Sequence, residues 1–267
     1  MKEKLQPKVL VLKTDGINCD EEMKFAFGKA QGNSEIVHVN ELRSKDKKLS
    51  DYKILGLPGG FSYGDDVRSG KILAIELTAY LGDKINDFIN HGGLILGICN
   101  GFQVLIRTGL LPFGTMGGMQ ATLSNNDSGK FECRSVNLKI TDKNACVFLK
   151  DIEGKIVSYP VAHGEGKFFA REKKLEKIEN EKLVVFRYVD SLDNPTQQYP
   201  DNPNGSLNAI AGICDPTGKI LGLMPHPERA VEETQYPNWR RQRIMNKPIE
   251  PEGLPIFKRM VNYVNQM

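Results

Sequence analysis

Short apolar runs alternate with helical patterns in the first half of the chain, and this alternation restricts the fold more than any other feature. The runs that read as strands are residues 8–12, 36–39, 53–57 and 94–98, and the helical patterns cover 20–30, 69–90 and 102–108. Strands that alternate with helices form βαβ units with parallel neighbours. We therefore expect an α/β fold whose central sheet is mostly parallel and flanked by helices.

The second half of the chain has a different pattern, in which short strands follow one another across turn signals such as NPNGS and DPTGK. The predicted strands are residues 136–140, 155–158, 183–188, 208–213 and 220–224. An amphipathic helix over 254–264 closes the chain. This half predicts a smaller antiparallel portion beside the parallel sheet.

The charge balance and the cysteine usage argue against several classes of protein. The net charge is only +3, with acidic and basic residues well mixed, so we expect neither nucleic acid nor a membrane as a partner. No apolar run approaches the roughly 18 residues of a spanning helix, and the N-terminal stretch reads as a first strand rather than a signal peptide. Five widely spaced cysteines without a C-x-x-C pair predict a cytoplasmic protein that lacks a disulfide framework.

The length is near the size at which one hydrophobic core stops growing, and we expect a single domain over residues 1–267. Two charge-dense stretches, 43–51 and 171–182, are interpreted as solvated surface. Residues 231–253 interrupt the strand–helix rhythm and contain the only tryptophan, Trp239, so they are either an ordered excursion or a loop. The four histidines are far apart in sequence, and we expect no metal site.

Cys99 lies between a predicted strand and a predicted helix in the pattern G-x-C-x-G, which runs from Gly97 to Gly101. A nucleophile on such a turn adopts a strained backbone angle, and the flanking glycines let the neighbouring chain pass close by. The N–H groups at the start of the helix lower the pKa of a thiol and can bind an oxyanion. The pattern predicts a nucleophilic cysteine, although a buried structural cysteine beside a tight turn fits it equally well.

A candidate base for this cysteine lies near the other end of the chain. His226 comes just after a predicted strand, between Pro225 and Pro227, which hold the segment extended. Residues two apart in an extended segment face the same side, so Glu228 can orient the imidazole. Taken alone, His226 fits an incidental loop histidine as well.

A third motif, Pro58-Gly59-Gly60, directly follows a predicted strand. Paired glycines free backbone N–H groups to point at an anion, so this loop is a candidate source of a second oxyanion donor. It is not a Walker loop, because it lacks the pattern G-x-x-x-x-G-K-[ST]. A plain turn at the end of a strand is the alternative.

These three motifs, in this order, resemble the class I, triad-type glutamine amidotransferases. Longer stretches look like the glutaminase subunits of phosphoribosylformylglycinamidine synthases: GINCDEE (16–22), PGGFSYGDDVRSG (58–70), GICNGFQVL (97–105), PVAHGEGKF (160–168), NPNGS (202–206) and IAGICDPTGKILGLMPHPERAVEE (210–233). The resemblance implies a flavodoxin-like amidotransferase fold. The sequence departs from the family pattern in GINCD, where a proline-glycine-serine turn is expected, and in the longer tract over 234–250.

The resemblance also implies a role for each matching residue. Cys99 is the nucleophile, His226 the acid and base, and Glu228 the group that orients His226. The backbone N–H groups of Gly60 and Asn100 form the oxyanion hole. The residues that bind glutamine or shape its pocket are Gln103, Gly59, His163 and Gly164.

The partners implied by the resemblance are glutamine, a large ATP-dependent synthetase subunit and a small bridging subunit. No cofactor is expected in this chain, because ATP and Mg²⁺ would bind the synthetase. Trp239 and Arg240-Arg241 are candidates for docking on that subunit, and an ordinary surface loop is the alternative. Two other functions stay open: a stand-alone cysteine hydrolase of γ-glutamyl compounds, and a catalytically silent regulatory subunit.

Overall fold

The chain forms eleven strands and seven α-helices in the computed structural model, which describes residues 6–267. The strands are β1 (Lys8–Lys13), β2 (Asn33–His38), β3 (Ile54–Leu57), β4 (Leu94–Ile98), β5 (Ala121–Asn125), β6 (Glu132–Ile140), β7 (Ile156–His163), β8 (Glu165–Ala170), β9 (Val184–Tyr188), β10 (Ile210–Cys214) and β11 (Ile220–Leu223). The helices are α1 (Asp20–Lys29), α2 (Val39–Ser44), α3 (Lys71–Asn90), α4 (Asn100–Thr108), α5 (Glu172–Asn180), α6 (Trp239–Ile244) and α7 (Leu254–Gln266). Residues 1–5, which precede the first predicted strand, lie outside the described residues.

Nine of these strands form one sheet in the order β2-β1-β3-β4-β11-β10-β9-β6-β7. The pairs from β2 to β11 are parallel, and the pairs from β11 to β7 are antiparallel. Strands β5 and β8 form a separate two-stranded antiparallel sheet. The predicted α/β fold, in which a parallel sheet is joined by an antiparallel portion, is confirmed.

The three central strands β3, β4 and β11 are buried at every position, as expected for parallel strands that are covered on both faces. Helix α1 packs on α7 through Phe27 and Phe257, whose rings meet edge to face with centroids 4.9 Å apart. Helix α3 packs on α4. Within residues 6–267 no helix has both the length and the apolar character that crossing a membrane requires.

Several short elements follow from local or long-range contacts that apolar periodicity does not reveal. Helix α2 begins at a capping box, in which His38 accepts from the Asn40 N–H and the Glu41 carboxylate accepts from the His38 N–H. The stretch 171–182, which we interpreted as solvated surface, contains helix α5. Most of its side chains are exposed, and its buried contact to the core is Ile178. One apolar anchor in a charged helix is too weak a pattern to predict it.

The tract 234–250 is an ordered excursion that includes helix α6. Tyr236 holds the two ends of the tract together. The Tyr236 hydroxyl donates to the Ala230 carbonyl and accepts from the Glu252 N–H. Trp239 lies at the start of α6, with the guanidinium of Arg243 stacked 5.3 Å from its ring centroid. The side chains of α6 stay outside the core.

The turn between β4 and α4 depends on Gly101. A Cβ atom on Gly101 would lie 1.9 Å from the Leu57 carbonyl oxygen at the end of β3. Helix α4 therefore approaches β3 more closely than any other residue type would allow. This contact fixes the position of residue 99, which immediately precedes the helix.

We predict that Gly101→Ala lowers the free energy of unfolding by roughly 1–3 kcal/mol, because backbone atoms of β3 cannot move away from the added methyl group. Urea denaturation of the purified chain measures this change. The matched control is Gly28→Ala in α1, where an added Cβ meets no atom within 4 Å. That substitution should raise stability by roughly 0.5–1 kcal/mol. An unfolding midpoint of Gly101→Ala equal to that of the wild type would contradict the prediction.

Candidate active site

Three neighbouring parallel strands end at the same edge of the sheet and carry the three motifs found in the sequence. Strand β3 leads into Gly59 and Gly60, β4 leads directly into Cys99, and β11 is followed three residues later by His226. Because β3, β4 and β11 pair in parallel, their carboxyl ends lie side by side. Motifs that are more than 160 residues apart in sequence therefore meet at one place.

Cys99 has a strained backbone, with φ of 52° and ψ of −105°. Such angles are rare for any residue other than glycine and persist only where the surrounding structure enforces them. The Cys99 N–H donates to the Leu223 carbonyl at 2.8 Å, and α4 begins at the next residue. The side chain is nearly buried, and its Sγ lies 3.6 Å from the Ala162 carbonyl oxygen. The predicted strained turn between strand and helix is therefore present at Cys99.

His226 and Glu228 form a buried pair, with 2.6 Å between the imidazole Nδ1 and the carboxylate Oε1. The predicted pairing is correct, but the expected extended segment is wrong. Residues Pro227–Arg229 form a turn of 3₁₀ helix that brings the carboxylate back to the ring. The His226 N–H donates to the Pro160 carbonyl at 2.8 Å and anchors the segment on β7.

Two opposing effects, burial and nearby charged groups, determine the protonation state of His226. Burial disfavours the imidazolium, but the Glu228 carboxylate and the neighbouring Cys99 sulfur outweigh it, so the pKa of His226 is raised well above its ordinary value. An imidazolium close to a thiol stabilises the thiolate, which is the reactive form of cysteine. The imidazolium of His226 therefore lies beside Cys99, and Glu228 binds the opposite nitrogen of the ring.

The Gly59-Gly60 loop lies directly against these side chains. A Cβ atom on Gly59 would lie 2.7 Å from Cε1 of His226 and 3.5 Å from Cβ of Cys99. Gly60 has φ of +141° and bridges to Ile17, so the loop is held from its other side as well. Asn100 is the first residue of α4, where backbone N–H groups have no acceptor within the helix. Asn100 thus follows Cys99 directly and Gly60 follows the glycine that lies against Cys99, and the oxyanion hole formed by their N–H groups stays a prediction.

Gln103 lies one helical turn beyond Cys99, where its side chain joins two elements. Its Oε1 accepts from Asn100 Nδ2 at 3.0 Å, and its Nε2 donates to the Glu165 carbonyl at 2.5 Å. The side chain is nearly buried. Gln103 therefore ties α4 to β8 beside the site, and its predicted contact with glutamine stays a prediction.

His163 is buried next to the site in a hydrogen-bond network that fixes its tautomer. Asn126 Oδ1 accepts from the Gly166 N–H and lies 3.1 Å from His163 Nδ1, whereas Asn126 Nδ2 donates to the carbonyls of Lys130 and His163. Because Oδ1 can only accept, Nδ1 of the neutral ring must carry the hydrogen. Nε2 is then a bare acceptor that has no partner among the described residues. Gly164, also predicted at the site, accepts from the Asn126 N–H.

Two residues of this region were missed by the sequence analysis: Asn126 and Cys19. Asn126 follows β5, a strand that was not predicted, and it bonds to His163 from 37 positions away. Cys19 lies in the motif GINCDEE at the start of α1, and its sulfur is 3.4 Å from the position of a Cβ on Gly59. The motif gave a signal for Cys19, but no local pattern connected it with His226.

Cys19, His226 and Glu228 have ligand atoms within 4.8 Å of one another. A thiol, an imidazole and a carboxylate are the side chains that zinc prefers. However, His226 and Glu228 already satisfy each other through the 2.6 Å hydrogen bond. The arrangement is that of an oriented base rather than of three ligands that await a metal.

We predict that the acid sensitivity of the fold depends on His163. Burial, reinforced by the charge of His226, lowers the pKa of His163 from 6.5 to about 3. The unfolded chain then binds a proton that the folded chain excludes, so stability present above pH 6.5 is lost as the pH falls towards 3. His163→Asn keeps a donor for Asn126 but does not titrate.

Urea denaturation at pH values between 6 and 4 tests this difference. The decline of stability with pH should be shallower in His163→Asn than in the wild type, by up to about 1.4 kcal/mol per pH unit. Equal slopes for the two proteins would show that His163 is not a buried neutral group.

Comparison with known proteins agrees with this geometry. Residues 6–264 match the family of the CobB/CobQ-like glutamine amidotransferase domain. The chain is 45% identical to phosphoribosylformylglycinamidine synthase subunit PurQ of Methanococcus maripaludis, over 98% of this chain and 99% of the relative. It is 44% identical to the PurQ subunit of Dehalococcoides mccartyi, over 97% of this chain and 98% of the relative.

A solved structure, PurLQS from Thermotoga maritima, contains a chain with the same fold. The two chains superpose with a TM-score of 0.73 and share 33% sequence identity, over 97% of this chain and 99% of the other. The resemblance inferred from the motifs is confirmed. With similarity of this degree over nearly its whole length, the chain belongs to the PurQ family of phosphoribosylformylglycinamidine synthase subunits, among the glutamine amidotransferases.

Proposed function

We propose that this chain is the glutaminase subunit of a phosphoribosylformylglycinamidine synthase and delivers ammonia to a separate synthetase subunit. The observation that carries the proposal is the junction of a strained cysteine with a buried histidine–carboxylate pair at the ends of β4 and β11. A nucleophile, a base and a group that orients the base are the parts that covalent acyl transfer requires.

In the first step, the Cys99 thiolate attacks the side-chain amide carbon of glutamine. The carbonyl oxygen becomes an oxyanion, which the backbone N–H groups of Asn100 and Gly60 stabilise; one such donor typically contributes about 2.7–4 kcal/mol. His226, held as imidazolium, gives its proton to the amide nitrogen. The carbon–nitrogen bond then breaks, ammonia leaves, and a γ-glutamyl thioester remains on Cys99.

In the second step, neutral His226 takes a proton from water, and the resulting hydroxide attacks the thioester. The carbon–sulfur bond breaks, glutamate leaves, and Cys99 returns as a thiolate beside the imidazolium. Glu228 keeps Nδ1 protonated throughout, so that Nε2 is the atom that exchanges protons. The sum of the two steps is glutamine plus water to glutamate plus ammonia.

The glutamine pocket is formed by Gly59, Gln103, His163 and Gly164. Gly59 supports this assignment because a Cβ atom added there would lie against both His226 and Cys99. His163 supports it through its bare, buried Nε2, which can accept a hydrogen bond from an amide group or from ammonia. In this role His163 stays neutral and positions the ligand, rather than transferring a proton.

The synthetase reaction takes place on a partner that binds ATP and Mg²⁺, and the two steps above use only residues of this chain. The partner is a large synthetase subunit, joined by a small bridging subunit, and the three-part name PurLQS of the Thermotoga maritima assembly supports this composition.

The exposed helix α6, with Trp239 and Arg240, is the candidate docking element within residues 234–250. Residues 1–267 act as one domain in the cytosol, where five free thiols are compatible with a reducing environment.

Replacing the nucleophile should separate the two sources of ammonia. In the reconstituted complex, we predict that Cys99→Ser abolishes glutamine-dependent synthesis, by at least about 10³-fold, because a serine hydroxyl is a far weaker nucleophile at neutral pH. Synthesis from added ammonium salt should persist, because it bypasses the glutaminase. The control is Cys133→Ser at an exposed cysteine. Loss of both reactions in Cys99→Ser would contradict the proposed role.

Glu228→Gln should slow turnover while retaining substrate binding. The amide keeps the shape of the side chain but removes the charge that stabilises the imidazolium, so kcat should fall by about 10²–10⁴-fold with a small change in KM for glutamine. Steady-state kinetics of the complex measure both constants. A kcat equal to that of the wild type would exclude Glu228 as the orienting group.

A further inference from the structure

Cys19 begins helix α1 at a position where its side chain does not serve the helix. Serine, threonine, aspartate and asparagine are favoured there because they cap the first N–H groups. Cys19 occupies the N-cap position, but its sulfur makes no capping hydrogen bond. The side chain is nearly buried, with 7% of its surface exposed. Helix capping therefore does not account for this residue.

The backbone holds Cys19 against the active-site loop. The N–H groups of Asn18 and Cys19 both point to the Gly59 carbonyl, at 3.4 and 3.2 Å. Asp20 anchors the same turn, because Lys13 at the end of β1 bonds to its carboxylate at 2.7 Å. The backbone of Cys19 is thus fixed relative to Gly59, and its thiol donates to Asn18 Oδ1 at 3.3 Å.

The Cys19 sulfur lies beside the imidazole of His226. The ligand atoms of Cys19, His226 and Glu228 fall within 4.8 Å of one another. A Cβ on Gly59 would contact both the Cys19 sulfur, at 3.4 Å, and Cε1 of His226, at 2.7 Å. The ring is therefore enclosed by Glu228, Cys19, the Gly59 backbone and Cys99.

We propose that Cys19 is a second positioning residue for His226, which holds the imidazole in place from the side of the Gly59-Gly60 loop. The inference rests on the proposed function, in which His226 must work both before and after Cys99 is acylated. A thioester sulfur carries no negative charge, so Cys99 ceases to stabilise the imidazolium once the acyl group is attached. Glu228 and Cys19 are the neighbours that keep their contact with the ring during thioester hydrolysis.

The pH dependence of the reaction reports on this contact. His226 is faced by Glu228, Cys99, Cys19 and His163. Against the effect of burial, Glu228 raises the pKa of His226 most, followed by Cys99, and the nearby Cys19 sulfur adds to the same direction. Removing the Cys19 sulfur lowers that pKa, so the imidazolium is lost at a lower pH. The alkaline limb of the profile of kcat/KM for glutamine should move to lower pH.

The test compares Cys19→Ala, Cys19→Ser and the control Cys133→Ala in the complex with the synthetase. Cys19→Ala should lower kcat by about 10-fold with KM within about twofold, which is the usual effect of losing a group that orients another. Mass spectrometry after acid quenching should find more γ-glutamyl thioester on Cys99 than in the wild type. Cys19→Ser should restore most of the rate, because its hydroxyl can accept a hydrogen bond from the imidazolium.

Two results would overturn the proposal: wild-type kcat and pH profile in Cys19→Ala, or equal defects in the alanine and serine variants, which would indicate packing alone. Absence of glutamine-dependent turnover in the wild-type complex would instead refute the proposed function. In that case the pH dependence of Cys99 alkylation by iodoacetamide, read by peptide mass spectrometry, still tests Cys19. An unchanged profile in Cys19→Ala would then count against the contact with His226.

Discussion

The strained backbone at Cys99 is the constraint on which the rest of the site depends. A residue with φ of 52° and ψ of −105° is held in place only because β4 and α4 are both locked into the core. Helix α4 reaches that position because Gly101 lets it touch the Leu57 carbonyl of β3. The free energy of packing a buried parallel sheet therefore maintains one unfavourable turn, and this turn presents the sulfur beside the first N–H groups of a helix.

The parallel arrangement of β3, β4 and β11 supplies the remaining groups without a long loop. The three strands end at the same edge of the sheet. The glycine loop, the cysteine and the histidine therefore come together within three residues of the strand ends. Around His226, burial is offset by Glu228 and by the sulfur atoms, and the imidazole is held as a cation next to the thiol. His163, equally buried, faces an amide instead and stays neutral. Two histidines in one region thus differ in charge, one positive and one neutral, because their neighbours differ.

The sequence was sufficient to predict the parts of the structure that rest on local pattern. The elbow at Cys99, the pairing of His226 with Glu228 and the alternation of strands and helices all follow from short-range spacing. The geometry behind the pairing was not predictable, because Pro227–Arg229 forms a turn rather than an extended segment. Cys19 and Asn126 were missed because their roles depend on contacts with Gly59 and His163, far away in the chain.

The central claim, that Cys99 is the nucleophile of a glutamine site, is tested most directly by a glutamine-mimicking chloroketone. The chain should be incubated with this reagent, in the presence and absence of glutamine, and every cysteine read by peptide mass spectrometry. We expect one adduct, on Cys99, whose formation glutamine slows in proportion to its occupancy of the site. An adduct on another of the five cysteines, or labelling of Cys99 that glutamine does not slow, would contradict the account.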